Sequence, residues 1–300
     1  GNESSCSFEV TVTDDEMPEI ACAGDLVEFV DENCAFEIPD YLSQATASDN
    51  CDTALDFAQV PAPGTVINGS GTTQEITISA TDDAGNVNSC SFMITLDDVI
   101  APSIECPEDQ TEYVDENCLI ALPDYTGFAI AMDNCTATVI TQEPAIGTEF
   151  SLGTYEVTLT ATDPDGNQTT CTFNVNVEDN TAPIVACPED QVESFTGTCE
   201  FELIDYTGLV EASDNCSDVT IEQFPAPGTI ITENQEIIMV IQDAYGNATS
   251  CNFNVILEDI TNPEIVCSAN ISVENDLGIC GAIVTYDAPI ATDNCTVADV

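Results

Sequence analysis

The side chains able to do chemistry in this 300-residue chain are acids and cysteines. There are 56 Asp plus Glu and 16 Cys, against no Lys, Arg or His. A cysteine nucleophile needs a base to activate it, and none is present. A paired-carboxylate glycosidase needs one convergent acid pair in a cleft. Here the acids recur at regular positions and there is no Trp, so the chain is read as no enzyme. Recurring carboxylates suit instead a hard divalent cation that takes six to eight oxygens, Ca²⁺ foremost outside cells.

Three sets of acids are candidate ligands. Asp14, Asp98, Asp179 and Asp259 stand in short linkers that end in Pro18, Pro102, Pro183 and Pro263. Asp49, Asp133, Asp214 and Asp293 open Asp-Asn-Cys turns, and Asp82, Asp163 and Asp243 close a strand before a Gly-Asn turn. The last set has two readings: caps of the turn, since Asp bonds to nearby backbone, or cation ligands. Asp98, Asp133 and Asp163 would give three carboxylates at one junction, and Asp179, Asp214 and Asp243 three at the next. Asp163-Pro-Asp165-Gly-Asn167 resembles part of a calcium loop, but Ala84 and Tyr245 replace Asp165 elsewhere, so that loop is not shared.

The elements that must position these acids come from a repeat. Four cysteines, Cys106, Cys118, Cys135 and Cys171, punctuate residues 98–178. They recur as Cys22, Cys34, Cys51 and Cys90, as Cys187, Cys199, Cys216 and Cys251, and in part as Cys267, Cys280 and Cys295. A period near 80 residues is that of a small domain rather than a solenoid turn. The segments are 1–13 (the last strand of a truncated repeat), 14–97, 98–178, 179–258, and 259–300 (the first half of a further repeat). Phe92/Ile94/Leu96 alternate with polar residues, as do Phe8/Val10/Val12, Phe173/Val175/Val177 and Phe253/Val255/Leu257. That is the period of half-buried strands. Ile76/Ile78/Ala80, Val157/Leu159/Ala161 and Ile237/Met239/Ile241 form a stronger strand before the Gly-Asn turn. Many short strands separated by turns predict an all-β chain of tandem immunoglobulin-like antiparallel β-sandwiches in a linear array.

With 43% hydrophobic residues the chain can bury cores, yet it cannot form one side-chain salt bridge. Its charge of −56 must be relieved by external cations. Nucleic acid is excluded as a partner, because phosphate contacts need Lys or Arg, and no run suits membrane insertion. Both ends fall inside a repeat, so we read a segment of a longer protein. The absence of His and of any Cys-x-x-Cys pair argues against zinc. Cysteines at repeating spacings then mean disulfides and an extracellular, oxidising setting.

The chain resembles the hyalin repeat (HYR) domain family. The resemblance rests on Pro102-x-Ile104-x-Cys106-Pro107, the Asp-Asn-Cys turn, the Thr160–Asn167 hairpin and Cys171-x-Phe173-x-Val175-x-Val177. Departures are Ser268 after Cys267, and Ile241-Gln242-Asp243 for Ala-Thr-Asp. It implies an immunoglobulin-like sandwich in extracellular, often adhesive, proteins and no catalytic residues.

In such a sandwich the first and last strands start at one pole, so the first and fourth cysteines of a repeat are expected to pair, as Cys106–Cys171. The second and third then pair across a short loop, as Cys118–Cys135. The rival joins the fourth cysteine of one repeat to the first of the next, 16 residues on. A largely extended segment of that length spans roughly 40 Å, against the ~7 Å limit for a disulfide. The favoured scheme leaves Cys6 and Cys267 with partners outside this window.

The expected function is a structural segment of an extracellular fibre or adhesin stalk, with disulfide-locked beads and cation-stiffened junctions. The expected partners are neighbouring repeats of the same chain and lateral or end-to-end copies in a filament. A ligand- or glycan-binding module of a larger secreted protein, or an acidic cation-binding matrix protein, stays open. Asn-x-Ser/Thr sequons at Asn2, Asn68, Asn134, Asn167, Asn215, Asn247, Asn270 and Asn294 leave glycosylation open as well.

Overall fold

The alternating apolar residues dictate strands, and the first full repeat shows how they stack. In the computed structural model, which describes residues 2–195 and 197–295, that repeat has eight strands. They are β1 (Glu19–Cys22), β2 (Leu26–Phe29), β3 (Ala35–Glu37), β4 (Ala45–Ser48), β5 (Asp56–Val60), β6 (Val66–Asn68), β7 (Thr73–Thr81) and β8 (Val87–Asp97). One sheet runs β2-β8-β7-β5; β1 pairs with β4 and β3 with β6. The hairpin β7–β8 places Ile76 opposite Phe92 and Ile78 opposite Cys90. Ile76, Ile78, Ala80 and Ile94 are wholly buried, as the period-2 pattern requires. The sheet is not purely antiparallel, because β2 runs parallel to β8.

The same four-stranded order recurs as Gln110–Tyr113, Gln168–Glu178, Gly153–Thr162, Val139–Glu143, and again as Gln191–Phe195, Ala248–Asp259, Gln235–Gln242, Thr220–Phe224. In the third repeat Gln191–Phe195 likewise runs parallel to the last strand, Ala248–Asp259. The chain is all-β, in tandem immunoglobulin-like sandwiches.

Each core is finished by a tyrosine and a glutamine. Tyr41 meets Phe92 edge-on with ring centroids 5.5 Å apart, as Tyr206 meets Phe253. Gln59 Oε1 accepts from Tyr41 N at 2.7 Å, while its Nε2 donates to Pro39 O and Pro61 O. Gln223 does the same for Tyr206, Ile204 and Pro225. A buried amide with every group paired is the condition under which burial is tolerated.

Residues 1–13 do not form the expected strand. Phe8, Val10 and Val12 are exposed, because among the described residues no neighbouring strand gives their alternation a sheet to bury against. Among the described residues from 260 onward, only Glu264–Val266 and Ile290–Thr292 pair as strands, and Ile265 and Val284 stay exposed. Residues 1 and 296–300 of these terminal segments lie outside the described residues.

Candidate metal centre and disulfide staples

The disulfides follow from where β-strands carry the cysteines. The first and fourth pair within a repeat: Cys22–Cys90, Cys106–Cys171 and Cys187–Cys251. The second and third do not. Cys34 bonds Cys135, Cys118 bonds Cys216, and Cys199 bonds Cys295, each joining one repeat to the next. This corrects the expected Cys118–Cys135, Cys34–Cys51, Cys199–Cys216 and Cys280–Cys295 pairs, and the fourth-to-first rival as well. Cys6, Cys51, Cys267 and Cys280 are exposed and have no disulfide partner among the described residues.

The physical reason is that sequence nearness is not spatial nearness in a sandwich. Cys34 lies in the loop after β2, where Val30 N donates to Asp97 O at the end of the last strand. That is the exit pole of the repeat. Strands β3 and β4 then carry the chain to the entry pole, where Cys51 lies with Asp14 and Asp49. Cys34 meets the following repeat because its loop turns sharply. Its φ is +56°, and Cys118 has +59°, in the left-handed region that costs an L-residue about 1–2 kcal/mol. Asp31 offsets this by accepting from Asn33 N and Ala35 N, both at 2.9 Å. These bonds, from Ala35 above all, hold the Asp31 carboxyl below its ordinary range; Asn117 and Leu119 do likewise for Asp115. The Cys34 sulfur is packed under Val30, Leu96, Phe36 and Ile67, with Cys135 against the same cluster.

The acids gather at the entry poles. Asp98, Asp133 and Asp163 offer carboxylate oxygens within 4.8 Å of one another, and so do Asp179, Asp214 and Asp243. In the first repeat Asp82 joins Asp14 and Asp52, while Asp49 groups with Asp14 and the Cys51 thiol. Asp14's charge, above all, pushes that thiol's pKa up. Asp259 and Asp293 belong to no such group among the described residues, although Asn294 Nδ2 reaches Asp259 Oδ1 at 3.3 Å. Asp52 was missed by sequence reasoning; only its position one residue past the cysteine could have flagged it.

Each acid is held by a local turn. Asp133 Oδ2 caps Cys135 N and Thr136 N. Asp163 accepts from the backbone N and the side-chain Nδ2 of Asn167 at 2.8 and 2.9 Å, and that Nδ2 also donates to Asp98 O at 2.9 Å. Asp163 therefore caps its turn while standing in the acid group. Burial raises the carboxyls of Asp82 and Asp243, but the bonds from Asn86 and Asn247 outweigh it and leave both below the ordinary value.

What remains unpaired is informative. Asp98 is 2% exposed and Asp179 is 7% exposed. Asp98 Oδ2, Asp133 Oδ1 and Asn134 Oδ1 are buried with no hydrogen-bond donor, and the same three atoms are orphaned in Asp179, Asp214 and Asn215. Like charges ~5 Å apart repel by about 3 kcal/mol even at an effective dielectric near 20. No Lys, Arg or His exists to relieve them. Buried, unpaired oxygens in two carboxylates and an amide, with the third carboxylate of each group beside them, form an all-oxygen donor set suited to Ca²⁺.

The HYR domain family profile matches residues 13–96 and 97–177. Hyalin of Strongylocentrotus purpuratus is 29% identical over 98% of this chain and 25% of its own length. Hyalin of Lytechinus variegatus is 27% identical over 98% of this chain and 58% of its own length. The chain thus spans a quarter to under two thirds of these relatives. A mouse sushi, von Willebrand factor type A, EGF and pentraxin domain-containing protein is 31% identical over 58% of this chain and 5% of its own length. Similar solved structures include Drosophila N-cadherin EC1-4, 16% identical with TM-score 0.30 over 80% of this chain and 75% of that one. Human CDH23 EC21-23 is 14% identical with TM-score 0.36 over 80% of this chain and 100% of that one.

Proposed function

This chain belongs to the HYR domain family, and from that premise we propose that it is a tension-resisting segment of an extracellular fibre or adhesin stalk. It is an extracellular, adhesion-type module. Its repeats, taken as 14–97, 98–178 and 179–258, are tied in series by covalent staples. Ca²⁺ at the acid groups neutralises the carboxylates beside each staple.

The observation that carries this reading is the second-to-third cysteine pairing, Cys34–Cys135 and Cys118–Cys216. A disulfide inside a repeat guards that repeat alone. One between repeats ties the two ends of a linker independently of the linker's own conformation. Asp98 and Asp179 begin the linkers, and their buried unpaired oxygens give a cation a role at the same places. Asp133 and Asp163, with Asp214 and Asp243, would complete its carboxylate ligands. Lateral assembly into filaments and glycan attachment are finer parts of the proposal. In the folded chain the amide nitrogens of Asn134, Asn167, Asn215, Asn247 and Asn294 are engaged in hydrogen bonds. Attachment therefore falls to Asn2, Asn68 and Asn270.

The test is small-angle X-ray scattering at constant ionic strength in EDTA and in millimolar CaCl₂, before and after reduction. The proposal expects a narrower spread of dimensions with Ca²⁺ and a broader one after reduction. Dimensions that ignore both treatments would overturn it and favour the acidic matrix or binding-module readings.

A further inference from the structure

The asparagine of the Asp-Asn-Cys turn touches everything that the cation site and the staple have in common. Asn134 Nδ2 donates to Asp31 O, in the preceding repeat's Cys34 turn, at 3.1 Å. The same nitrogen lies 3.3 Å from Asp98 Oδ1 and 3.4 Å from Cys135 Sγ. Its other amide atom, Oδ1, is buried without a donor, like the neighbouring Asp98 Oδ2 and Asp133 Oδ1. The arrangement is repeated at the next staple. Asn215 Nδ2 donates to Asp115 O at 2.9 Å and lies 3.3 Å from Cys216 Sγ, with Oδ1 again orphaned.

At the first Asp-Asn-Cys turn, which has no full repeat before it in this sequence, Asn50 Nδ2 donates to the Glu16 carboxylate. Asn50 is exposed. The buried, unsatisfied amide oxygen accompanies the staple.

We propose that Asn134 and Asn215 are cation ligands through Oδ1, and that each makes cation binding and the adjoining inter-repeat disulfide mutually stabilising. This rests on the cation reading above and adds to it a ligand and a redox consequence. Nδ2 is committed to the carbonyl of the stapled loop, which leaves Oδ1 as the buried amide atom without a partner. The intact disulfide holds that loop in place. A ligand that binds one state better must favour that state by the same factor. Cation binding therefore resists reduction of Cys34–Cys135, and reduction weakens cation binding. The reduction is by an external dithiol. Its thiolate attacks one sulfur, its second thiol closes a cyclic disulfide, and two electrons and two protons pass to the cysteine pair. Cys106–Cys171, inside its repeat, is outside this linkage.

The experiment uses the full chain and CaCl₂ as the only added divalent ion. Graded dithiothreitol with and without Ca²⁺ is followed by alkylation and peptide mass mapping of each cysteine pair. Calorimetry measures Ca²⁺ binding to the same samples. The expected result is about tenfold more dithiothreitol needed to open Cys34–Cys135 and Cys118–Cys216 with Ca²⁺, within the usual range of coupling factors, and no shift for Cys106–Cys171. In Asn134→Ala, protection is lost at Cys34–Cys135 and kept at Cys118–Cys216; Asn215→Ala gives the reverse. The wild-type comparison needs no variant to fold. Ca²⁺ binding without selective protection overturns the linkage and leaves the cation site standing. No Ca²⁺ binding at all overturns the cation reading itself. Equal protection of all three disulfides also overturns the linkage, because it reports general stabilisation.

Discussion

The turns at residues 49–51 and 133–135 have the same sequence, Asp-Asn-Cys, and the same local cap. Asp49 Oδ1 accepts from Cys51 N, as Asp133 Oδ2 accepts from Cys135 N. Beyond that they part. At the second, the cysteine is stapled to Cys34, and Asp98 is buried with an orphaned oxygen. At the first, Cys51 has no disulfide partner among the described residues, and Asp82 groups with Asp14 and Asp52 instead of Asp49. A local motif thus makes only half of the site. The other half is the exit-pole loop of the repeat before it, which contributes a sulfur and a carbonyl.

The largest expected effect on this contrast comes from the staple. Cys34→Ser with Cys135→Ser opens a tie spanning 101 residues, for which chain entropy suggests a loss of about 5 kcal/mol. In this 300-residue segment, where Cys51 has no disulfide partner, Cys51→Ser should change stability by no more than about 0.5 kcal/mol, as at other surface positions. Urea unfolding measures both, and equal effects would break the comparison. Next is cation affinity. Asp98→Asn should weaken Ca²⁺ binding at the second pole by at least about tenfold, roughly 1.4 kcal/mol. Asp14→Asn should weaken the total heat of binding far less. Calorimetry that ranks them the other way would mean the buried orphaned oxygens are not the ligands.

Features internal to a repeat must not distinguish the poles, which sharpens the contrast. Gln59→Ala and Gln223→Ala each strand a buried backbone N–H and should cost about 1–3 kcal/mol alike by chemical denaturation. The smallest effect is alkaline. Burial first, and then the bonds to Glu28 and Glu193, raise the Tyr41 and Tyr206 hydroxyls well above the ordinary value of 10. A group with a raised folded pKa contributes stability that is complete below its unfolded pKa and lost as pH climbs through the folded one. The tyrosinate absorbance contributed by Tyr41 and Tyr206, read as the difference from Tyr41→Phe with Tyr206→Phe, should therefore appear together with unfolding above pH 10. In Tyr41→Phe with Tyr206→Phe, the pH dependence of unfolding in that range should flatten.

Much of each repeat was legible in the residues. The alternation at Ile76/Ile78/Ala80 and Phe92/Ile94/Leu96 reads directly as inward faces because side-chain period and burial are tied in a strand. The first-to-fourth disulfide was legible because those cysteines share a pole with strands that must be neighbours. The grouping of Asp98, Asp133 and Asp163 was legible from turn positions alone. The Tyr41–Gln59 bonds were not, since a glutamine seventeen or eighteen residues away carries no periodic signal. Nor was the fate of Phe8, Val10 and Val12, whose pattern is that of a strand but which have no sheet to join.

The sequence by itself determined local things: the period, the inward faces, the turns, and an all-oxygen chemistry with no cation to answer it. These depend on neighbours a few residues apart and on composition. Only the tertiary structure decided that the second cysteine sits at the exit pole and the third at the entry pole. That depends on how extended strands fill the length of a sandwich. Seventeen residues from Cys34 to Cys51 thus lead to opposite ends of a repeat, while 101 residues from Cys34 to Cys135 close to a Cα separation of 4.8 Å.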